Sequence, residues 1–195
     1  MYSVIALLAV FGTWEKFDDQ GGYLVERRDV TGSQFPEVRV TAHSDLPPEV
    51  IFDVIWSHHT YTQFVPYLKK MEILKNQGDQ KVTYQQVNMP VVSDRDYTVL
   101  VERKVDSENH VYETSFRAAP ELGPPEANGF VRVKNLRGSW TIVPDTNGGS
   151  SIVYQVQTDP GGNIPAWIAT SAQKTAAPSL VRAMIERATK LRKKA

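Results

Sequence analysis

The stretch from Asp159 to Ile168 constrains the fold more than any other part of the chain, because it turns a strand directly into a long helix. Before it, residues 151–157 alternate between polar and apolar side chains, which is the period of a half-buried strand. After it, apolar or small residues recur every three to four positions to the end of the chain, which predicts one face of a long helix. Gly161 and Gly162 permit the positive φ angles that a tight turn between the two elements needs.

The start of this helix carries a tryptophan, Trp167, shortly after Pro165. Pro165 falls near the first turn, where its missing N–H costs little, and Asn163 is a candidate helix cap. A bulky aromatic side chain at this place is expected to be buried. If the helix lies across a curved sheet, Trp167 would close the mouth of any space between them, so the pattern predicts a lid.

The rest of the chain predicts an α+β fold. Strands are expected near residues 23–30 and 37–43, then a helix that opens at residue 47, and then about six strands between residues 69 and 158. Consecutive strands with short turns imply an antiparallel sheet, and such a sheet must bury one face. We therefore expect a curved antiparallel sheet of about nine strands around the C-terminal helix, with room between them for a ligand. Residues 119–129 are too long for a hairpin turn and predict an Ω-loop.

The N-terminal segment has two interpretations. Its apolar run, residues 4–11, is too short to span a bilayer and lacks a basic n-region or a typical cleavage site. It belongs either to an amphipathic first helix that ends near Phe17, which we favour, or to a remnant targeting segment over residues 1–13. With no cysteine in the chain, the compartment stays open. We expect a soluble protein and favour the cytoplasm over export.

Composition and motifs exclude several classes of function. The chain has 195 residues and a formal net charge of zero, so nothing global indicates nucleic acid, and no repeat or linker divides residues 1–195 into more than one domain. The four histidines form no metal-binding motif, and neither a Gly-rich phosphate loop nor a nucleophile elbow occurs. We therefore expect no cofactor, no metal and no catalytic residues. The basic C-terminal tail is interpreted either as a solvated helix end or as a contact for an anionic membrane.

Three motifs in order resemble one known family. They are Ser93-Asp94-Arg95-Asp96-Tyr97, Gly129-Phe130-Val131-Arg132-Val133, and the stretch from Asp159 to Ile168. Together they resemble the START domains, which are lipid-transfer modules. The resemblance implies a helix-grip fold around a closed tunnel that holds one lipid, with the Ω-loop and the C-terminal helix as its gate. The gate residues that it implies are Leu122, Pro124, Pro165, Trp167 and Ile168.

The family's lipid contacts carry over only in part. In its phosphatidylcholine-binding members an aromatic cage holds the choline through cation–π contacts. Two of the three cage positions align with Tyr84 and Tyr97, whereas the third aligns with Leu136. The arginine that meets the phosphate aligns with Tyr61, and a glutamine partner aligns with Gly138. The charged pair of sterol-binding members falls on Val82 and Val101. Neither the choline–phosphate site nor the sterol pair is therefore intact, so these positions support lipid binding but do not identify the lipid. We expect a phospholipid more than a sterol.

Three further residues are candidates for the polar end of the ligand. Arg95 has either a structural role, in an ion pair or in bracing a turn, or contacts a lipid phosphate; if it points inward, its partner is expected to be Asp94, Asp96 or that phosphate. Arg132 lies on the face opposite its valine neighbours, so it faces either solvent or a headgroup. Tyr154 is a strand aromatic whose hydroxyl needs a partner if it is buried. The complete set of expected lipid-binding residues is Tyr61, Tyr84, Arg95, Tyr97, Arg132, Leu136 and Tyr154.

These features favour a non-enzymatic, monomeric carrier that contacts membranes transiently and encloses one lipid, with a glycerophospholipid as the expected ligand. Enclosure has a physical reason, since each methylene exposed to water costs about 0.8 kcal/mol and two acyl chains therefore cost on the order of 20 kcal/mol. Two alternatives stay open. One is an aromatase/cyclase-type enzyme on the same scaffold, which needs titratable groups in the cavity. The other is a ligand-controlled sensor that binds a partner.

Overall fold

The computed structural model describes residues 12–88 and 93–193. In this part of the chain there are two α-helices, α1 (Pro48–Trp56) and α2 (Ala166–Arg192), and short 3-10 helices at His58–Gln63 and Pro120–Leu122. The strands are β1 (Glu15–Asp19), β2 (Leu24–Arg28), β3 (Glu37–Ser44), β4 (Leu68–Gln77), β5 (Gln80–Val87), β6 (Asp94–Asp106), β7 (Val111–Ala118), β8 (Phe130–Arg132), β9 (Asn135–Pro144) and β10 (Ser150–Asp159).

The strands form one sheet in the order β1-β2-β3-β10-β9-β7-β6-β5-β4, with every neighbouring pair antiparallel. The short strand β8 pairs in parallel with the beginning of β6. The chain thus forms two strands between residues 130 and 144, because it first crosses beside β6 as β8 and then returns beside β7 as β9. The α+β fold with a long C-terminal helix against the sheet is confirmed.

The main core lies where α1 and the second half of α2 pack on β3, β9 and β10. Its fully buried members include Ile51 and Ile55 of α1, Ile142 of β9, Ile152 of β10 and Met184 of α2. Burial of each such side chain stabilises the fold by roughly 1.5–3 kcal/mol. The alternation predicted for β10 is present, because its even-numbered residues from 150 to 156 are buried and their neighbours are not.

The N-terminal helix expected to end near Phe17 is wrong over its described part, because residues 15–19 form β1. β1 pairs with β2, so its backbone groups are satisfied by a neighbouring strand and not within a helix. The Phe17 ring lies under the guanidinium of Arg27, at 5.0 Å, and near the ammonium of Lys174, at 5.2 Å. Residues 1–11, on which the targeting-segment alternative depends, lie outside the described residues.

The turn into α2 has the expected glycines but not the expected cap. Gly161 and Gly162 have φ angles of 67° and 68°, and the Asp159 carboxylate accepts a hydrogen bond from the Gly161 N–H at 2.9 Å. The helix begins at Ala166 with Pro165 in the N-cap position and no side-chain cap, so the cap predicted at Asn163 is wrong. Among the described residues, neither helix combines the length and the apolar composition that a membrane span requires.

Candidate functional site

The sheet has two faces, and strand β6 shows both. We call the face that packs on α1 and α2 the inner face and the other the outer face. Side chains alternate along β6, so Arg95 and Tyr97 point to the inner face while Asp96 and Thr98 point to the outer one. The segment 119–129, which is the predicted Ω-loop, covers the outer face here, since the Ala119 N–H donates to the Thr98 carbonyl at 2.8 Å.

Part of the inner face lies outside the main core. The inward residues of β6, namely Tyr97, Val99 and Val101, do not belong to the buried cluster formed by the helices with β3, β9 and β10. Tyr97 and Leu136 keep accessible surface although they face inward, and so does Phe116. This part of the inner face, on the first half of β6 and its neighbours β7 and β9, is the candidate ligand-binding region.

Two tyrosine hydroxyls in this region lack a protein partner. Within the described residues, neither Tyr97 nor Tyr154 makes a side-chain hydrogen bond, although Tyr154 is only 7% exposed. Burial raises the pKa of Tyr97 to about 12. Burial, followed by the nearby phenol of Tyr97, also raises the pKa of Tyr154. Both groups therefore stay neutral phenols at physiological pH, each with a hydrogen to donate.

Gly138 makes room for an aromatic wall on the inner face. The Tyr154 ring lies between those of Trp140 and Phe116, with centroid distances of 4.3 and 6.2 Å. A Cβ on Gly138 would lie 2.4 Å from the Phe116 ring and 2.2 Å from the carbonyl oxygen of Gln155. Only glycine fits at this position.

We expect Gly138→Ala to lower the free energy of unfolding by about 1–3 kcal/mol, because the methyl group must displace a ring and a backbone carbonyl. Chemical denaturation measures the change. Ser139→Ala, at the next residue and on the outer face, is the matched control and should change stability by less than about 0.5 kcal/mol. Equal stability of the two variants would contradict the close packing at Gly138.

Arg95 ties β6 to the turn that precedes α2. Its guanidinium donates to the carbonyl oxygens of Ser93, Pro160 (3.2 Å) and Gly161 (3.4 Å). Arg95 is 3% exposed, and burial lowers its pKa while the nearby Asp94 opposes this. The side chain thus braces the turn, one of the two roles considered for it from the sequence.

On the outer face, Asp96, Arg132 and Tyr84 form a buried cluster that we call the loop latch. Arg132 donates from Nε to Asp96 Oδ1 at 2.7 Å and from Nη2 to Oδ2 at 2.8 Å, and the Tyr84 hydroxyl donates to Oδ2 at 2.9 Å. The same guanidinium donates to the carbonyl oxygens of Pro124 (3.2 Å) and Pro125 (3.0 Å), which belong to the Ω-loop. The latch therefore fastens the loop to the sheet.

Electrostatics in the latch favour the ionised pair. Burial alone would raise the pKa of Asp96, but the hydrogen bonds from Arg132 and Tyr84 outweigh it and lower that pKa. The same ion pair raises the pKa of Arg132. Arg132 faces neither solvent nor the inner face, so both roles expected for it from the sequence are wrong. The strand alternation could not show that an aspartate 36 residues earlier would meet it.

The structure separates the two tyrosines expected to form a choline cage. Tyr84 pairs with Thr98 and lies in the latch, whereas Tyr97 pairs with Gln85 on the opposite face. The ring of Tyr84 already has the ammonium of Lys70 at 5.3 Å. The two side chains cannot enclose one quaternary ammonium in this arrangement.

The two remaining expected lipid contacts, Leu136 and Tyr61, lie in different parts of the structure. Leu136 lies on the inner face, opposite Thr158, and keeps accessible surface. Tyr61 is 8% exposed and donates from its hydroxyl to the Ile55 carbonyl at 2.5 Å, so this hydroxyl already has a partner within the core. Phe116, which shapes the region, was missed and could have been noted from the alternation of β7. Gly138 was noted only as an aligned position, although an isolated glycine in a strand indicates a close approach of neighbouring atoms.

The expected gate residues are mostly exposed. Trp167 is 73% exposed, so the prediction that it is buried is wrong. Leu122 is 47% exposed at the tip of the Ω-loop, and Pro165 is exposed as well. The carbonyl oxygen of Pro124 accepts a hydrogen bond from Arg132 of the latch, and Ile168 is half-buried.

β8 lies against the turn before α2. A Cβ on Gly161 would lie 3.2 Å from the Val131 side chain, so the two segments are in contact.

A long helix held against one antiparallel sheet, with a loop and a turn fastened at the same end of β6, defines a helix-grip protein. Comparison with known families matches residues 6–194 to the START domain. The chain therefore belongs to the START domain family.

Individual relatives agree with this assignment. An uncharacterized protein of Pseudomonas aeruginosa is 30% identical over 180 residues, which cover 84% of each chain. Human phosphatidylcholine transfer protein is 30% identical over 145 residues, which cover 72% of this chain and 66% of the human one. The crystal structure of a STAR-related lipid transfer protein fragment from Xanthomonas axonopodis has a TM-score of 0.82 and 25% identity, over 90% of this chain and 98% of the fragment.

The helix-grip fold also occurs in an enzyme. The structure of the ZhuI aromatase/cyclase from Streptomyces matches with a TM-score of 0.58 and 16% identity, over 78% of this chain and 93% of that one. At this identity the likeness concerns the fold alone, so the function has to be argued from the side chains of the candidate region.

Proposed function

We propose that the chain acts as one non-enzymatic lipid-binding unit that encloses a single glycerophospholipid and moves it between membranes. The observation that carries this proposal is the partly accessible inner face around Tyr97, which lies outside the main core. Phe116 and Leu136 present partly accessible apolar surface there, of the kind that acyl chains need, and the buried Val99 and Val101 lie beside Tyr97 on the same face. The family membership and the name of the human relative, a phosphatidylcholine transfer protein, support the same assignment.

The two parts of the gate meet at the start of β6. Arg95 holds the turn before α2 from the inner face, and its neighbour Asp96 holds the Ω-loop through Arg132 from the outer face. A movement of β8 or of this strand end would therefore act on both parts together. We propose that docking at a membrane displaces the Ω-loop and the first turns of α2, and that the lipid exchanges through this opening.

The charges near the region favour a carrier over a cyclase. Lys81 donates to the Trp56 carbonyl at 2.7 Å, Arg103 is paired with Asp79 at 2.9 Å, and Arg95 is committed to backbone carbonyls. His58 is buried and bonds through Nδ1 to the Trp56 carbonyl. General acid–base catalysis needs a free group whose pKa lies near the working pH. The charged groups are held by the protein itself, and the pKa values of the free phenols of Tyr97 and Tyr154 are raised by burial, away from neutral pH.

The exposed position of Trp167 suits a protein that touches membranes as a monomer, because tryptophan favours the membrane–water interface. We expect Trp167→Ala to weaken vesicle binding and lipid transfer by about tenfold, since an aromatic side chain contributes roughly 1.5–3 kcal/mol when it leaves water. Its stability should change by less than about 0.5 kcal/mol, as for other exposed side chains. Vesicle co-sedimentation, lipid off-rates and denaturation measure the three effects.

Leu191→Ala is the matched control, because Leu191 is an exposed apolar residue at the other end of the same helix, 45% exposed. It should leave transfer unchanged. Equal transfer rates and equal lipid off-rates for the two variants would count against a gate at Trp167.

Native mass spectrometry of the protein purified from its own cells, followed by lipid extraction, tests the proposed function directly. We expect one phospholipid per chain. A complex that holds a lipid but fails to move it between vesicles would favour the sensor, and a chain that never binds lipid would refute the carrier.

A further inference from the structure

Among the described residues, the strands of the inner face offer no free charge to a ligand. Along β3, β10, β9, β7, β6 and β5, the charged inward side chains among the described residues are Lys81, Arg95 and Arg103, and each is engaged by protein oxygens. At the sheet edge, Arg27 of β2 lies over the Phe17 ring. Outside the described ranges the sequence adds one charged side chain, Lys194. A phosphate buried against this face would have no counter-charge, which is costly.

The same face offers uncharged hydrogen-bond donors. Tyr97 and Tyr154 carry hydroxyls that no atom of the described protein accepts, whereas the hydroxyls of Tyr61 and Tyr84 have acceptors at 2.5 and 2.9 Å. A phenol donates one hydrogen and does so best to an oxygen acceptor. A donor that a bound ligand covers without offering it a partner is destabilising, so an acceptor on the ligand would stabilise the complex. An ester carbonyl is such an acceptor, and it lies where the acyl chains of a glycerolipid begin.

We propose that Tyr97 and Tyr154 donate hydrogen bonds to the ester carbonyls of a bound glycerolipid, so that the protein selects ester-linked lipids and is indifferent to headgroup charge. This inference rests on the proposed function and specifies its ligand class. The charged headgroup stays at the mouth of the region, in contact with water. Lipids with zwitterionic, anionic or uncharged headgroups are all accepted when their chains are esters.

The test is a competition for the purified chain between two phosphatidylcholines with identical chain lengths, one ester-linked and one ether-linked, presented as equal parts of mixed vesicles. The ratio of bound lipids is read by mass spectrometry. The wild-type chain should prefer the ester by about three- to tenfold for each hydrogen bond. Tyr97→Phe and Tyr154→Phe should each lower the ratio, and the double variant should bring it close to one.

Tyr67→Phe is the matched control, because it removes a tyrosine hydroxyl from a side chain that is 49% exposed and belongs to neither the candidate region nor the latch, and it should leave the ratio unchanged. The ratio is internal to each sample, so a variant that is merely less stable does not alter it. A second competition, among diester phosphatidylcholine, phosphatidylglycerol and diacylglycerol, should give bound amounts within about threefold of one another.

The outcomes separate the two proposals. Lipid bound without preference for the ester, or a preference that survives in the double variant, overturns the ester contact while the carrier stands. Preference for one headgroup by more than tenfold also overturns it. Absence of any bound lipid in both competitions refutes the carrier and the ester contact together.

Discussion

Asp96→Asn is expected to lower the free energy of unfolding by about 3–5 kcal/mol, the range observed when one partner of a buried ion pair is removed. The side chains of Asp96 and Arg132 are 1% and 4% exposed, so the guanidinium left behind cannot recover its hydration. Its remaining acceptors are one amide oxygen of Asn and the two proline carbonyls of the Ω-loop, and none of them carries a negative charge. Chemical denaturation at neutral pH measures the loss.

Two comparisons identify the cause. Asp79→Asn breaks an ion pair with Arg103 in which the aspartate is 76% exposed, and it should cost no more than about 1 kcal/mol. The double variant Asp96→Asn with Arg132→Met removes both charges and should be more stable than Asp96→Asn alone. If the double variant is less stable by the sum of the two single effects, the residues act independently and the latch is refuted.

The latch should also be visible as motion and as pH dependence. Amide hydrogens of residues 119–129 should exchange faster in Asp96→Asn, because the loop loses its attachment to the sheet.

The pKa of Asp96 is lowered in the folded protein, so its contribution to stability is present above about pH 4 and is lost as the pH falls through the folded pKa. Asp96→Asn should therefore flatten the acid limb of the stability profile.

The strands and the last helix could be predicted because their signals are local. Period-two alternation identified β10, and the paired glycines at 161 and 162 located the turn into α2 to within a few residues. The helix predicted to end near Phe17 was wrong because an apolar run followed by polar residues fits a helix as well as a strand. What decided for a strand at residues 15–19 was pairing with β2, which the segment itself does not encode.

The site could be predicted only as a set of residues and not as an arrangement. Whether Tyr84 and Tyr97 share a face depends on the register of β5 against β6, and a shift of one residue would reverse the answer. The contact between Asp96 and Arg132 depends on β8 running parallel beside β6, which a pattern of consecutive strands does not suggest. Trp167 was expected to be buried because large apolar side chains usually are. Its exposure is informative, since exposed apolar surface often marks a site of interaction.

Acidification from pH 7 to pH 4 is expected to remove about 3 kcal/mol of stability through His58 alone. Burial, followed by the charge of Lys81, lowers the pKa of His58 from 6.5 to about 4. The folded chain therefore keeps this imidazole neutral over a range in which the unfolded chain protonates it. Stability from this group is complete above pH 6.5 and declines as the pH falls towards the folded pKa of about 4.

The ring of His58 stacks on Tyr61 at 5.0 Å and meets the edge of Trp56 at 5.8 Å, so His58→Phe retains a ring but cannot titrate. Denaturation between pH 4 and pH 7 should show a flatter profile for this variant than for the wild type. His59→Phe is the control, because His59 is the exposed neighbour. Since the carboxylates titrate equally in both variants, the difference between their profiles isolates His58, and parallel profiles would show that His58 titrates normally in the folded chain.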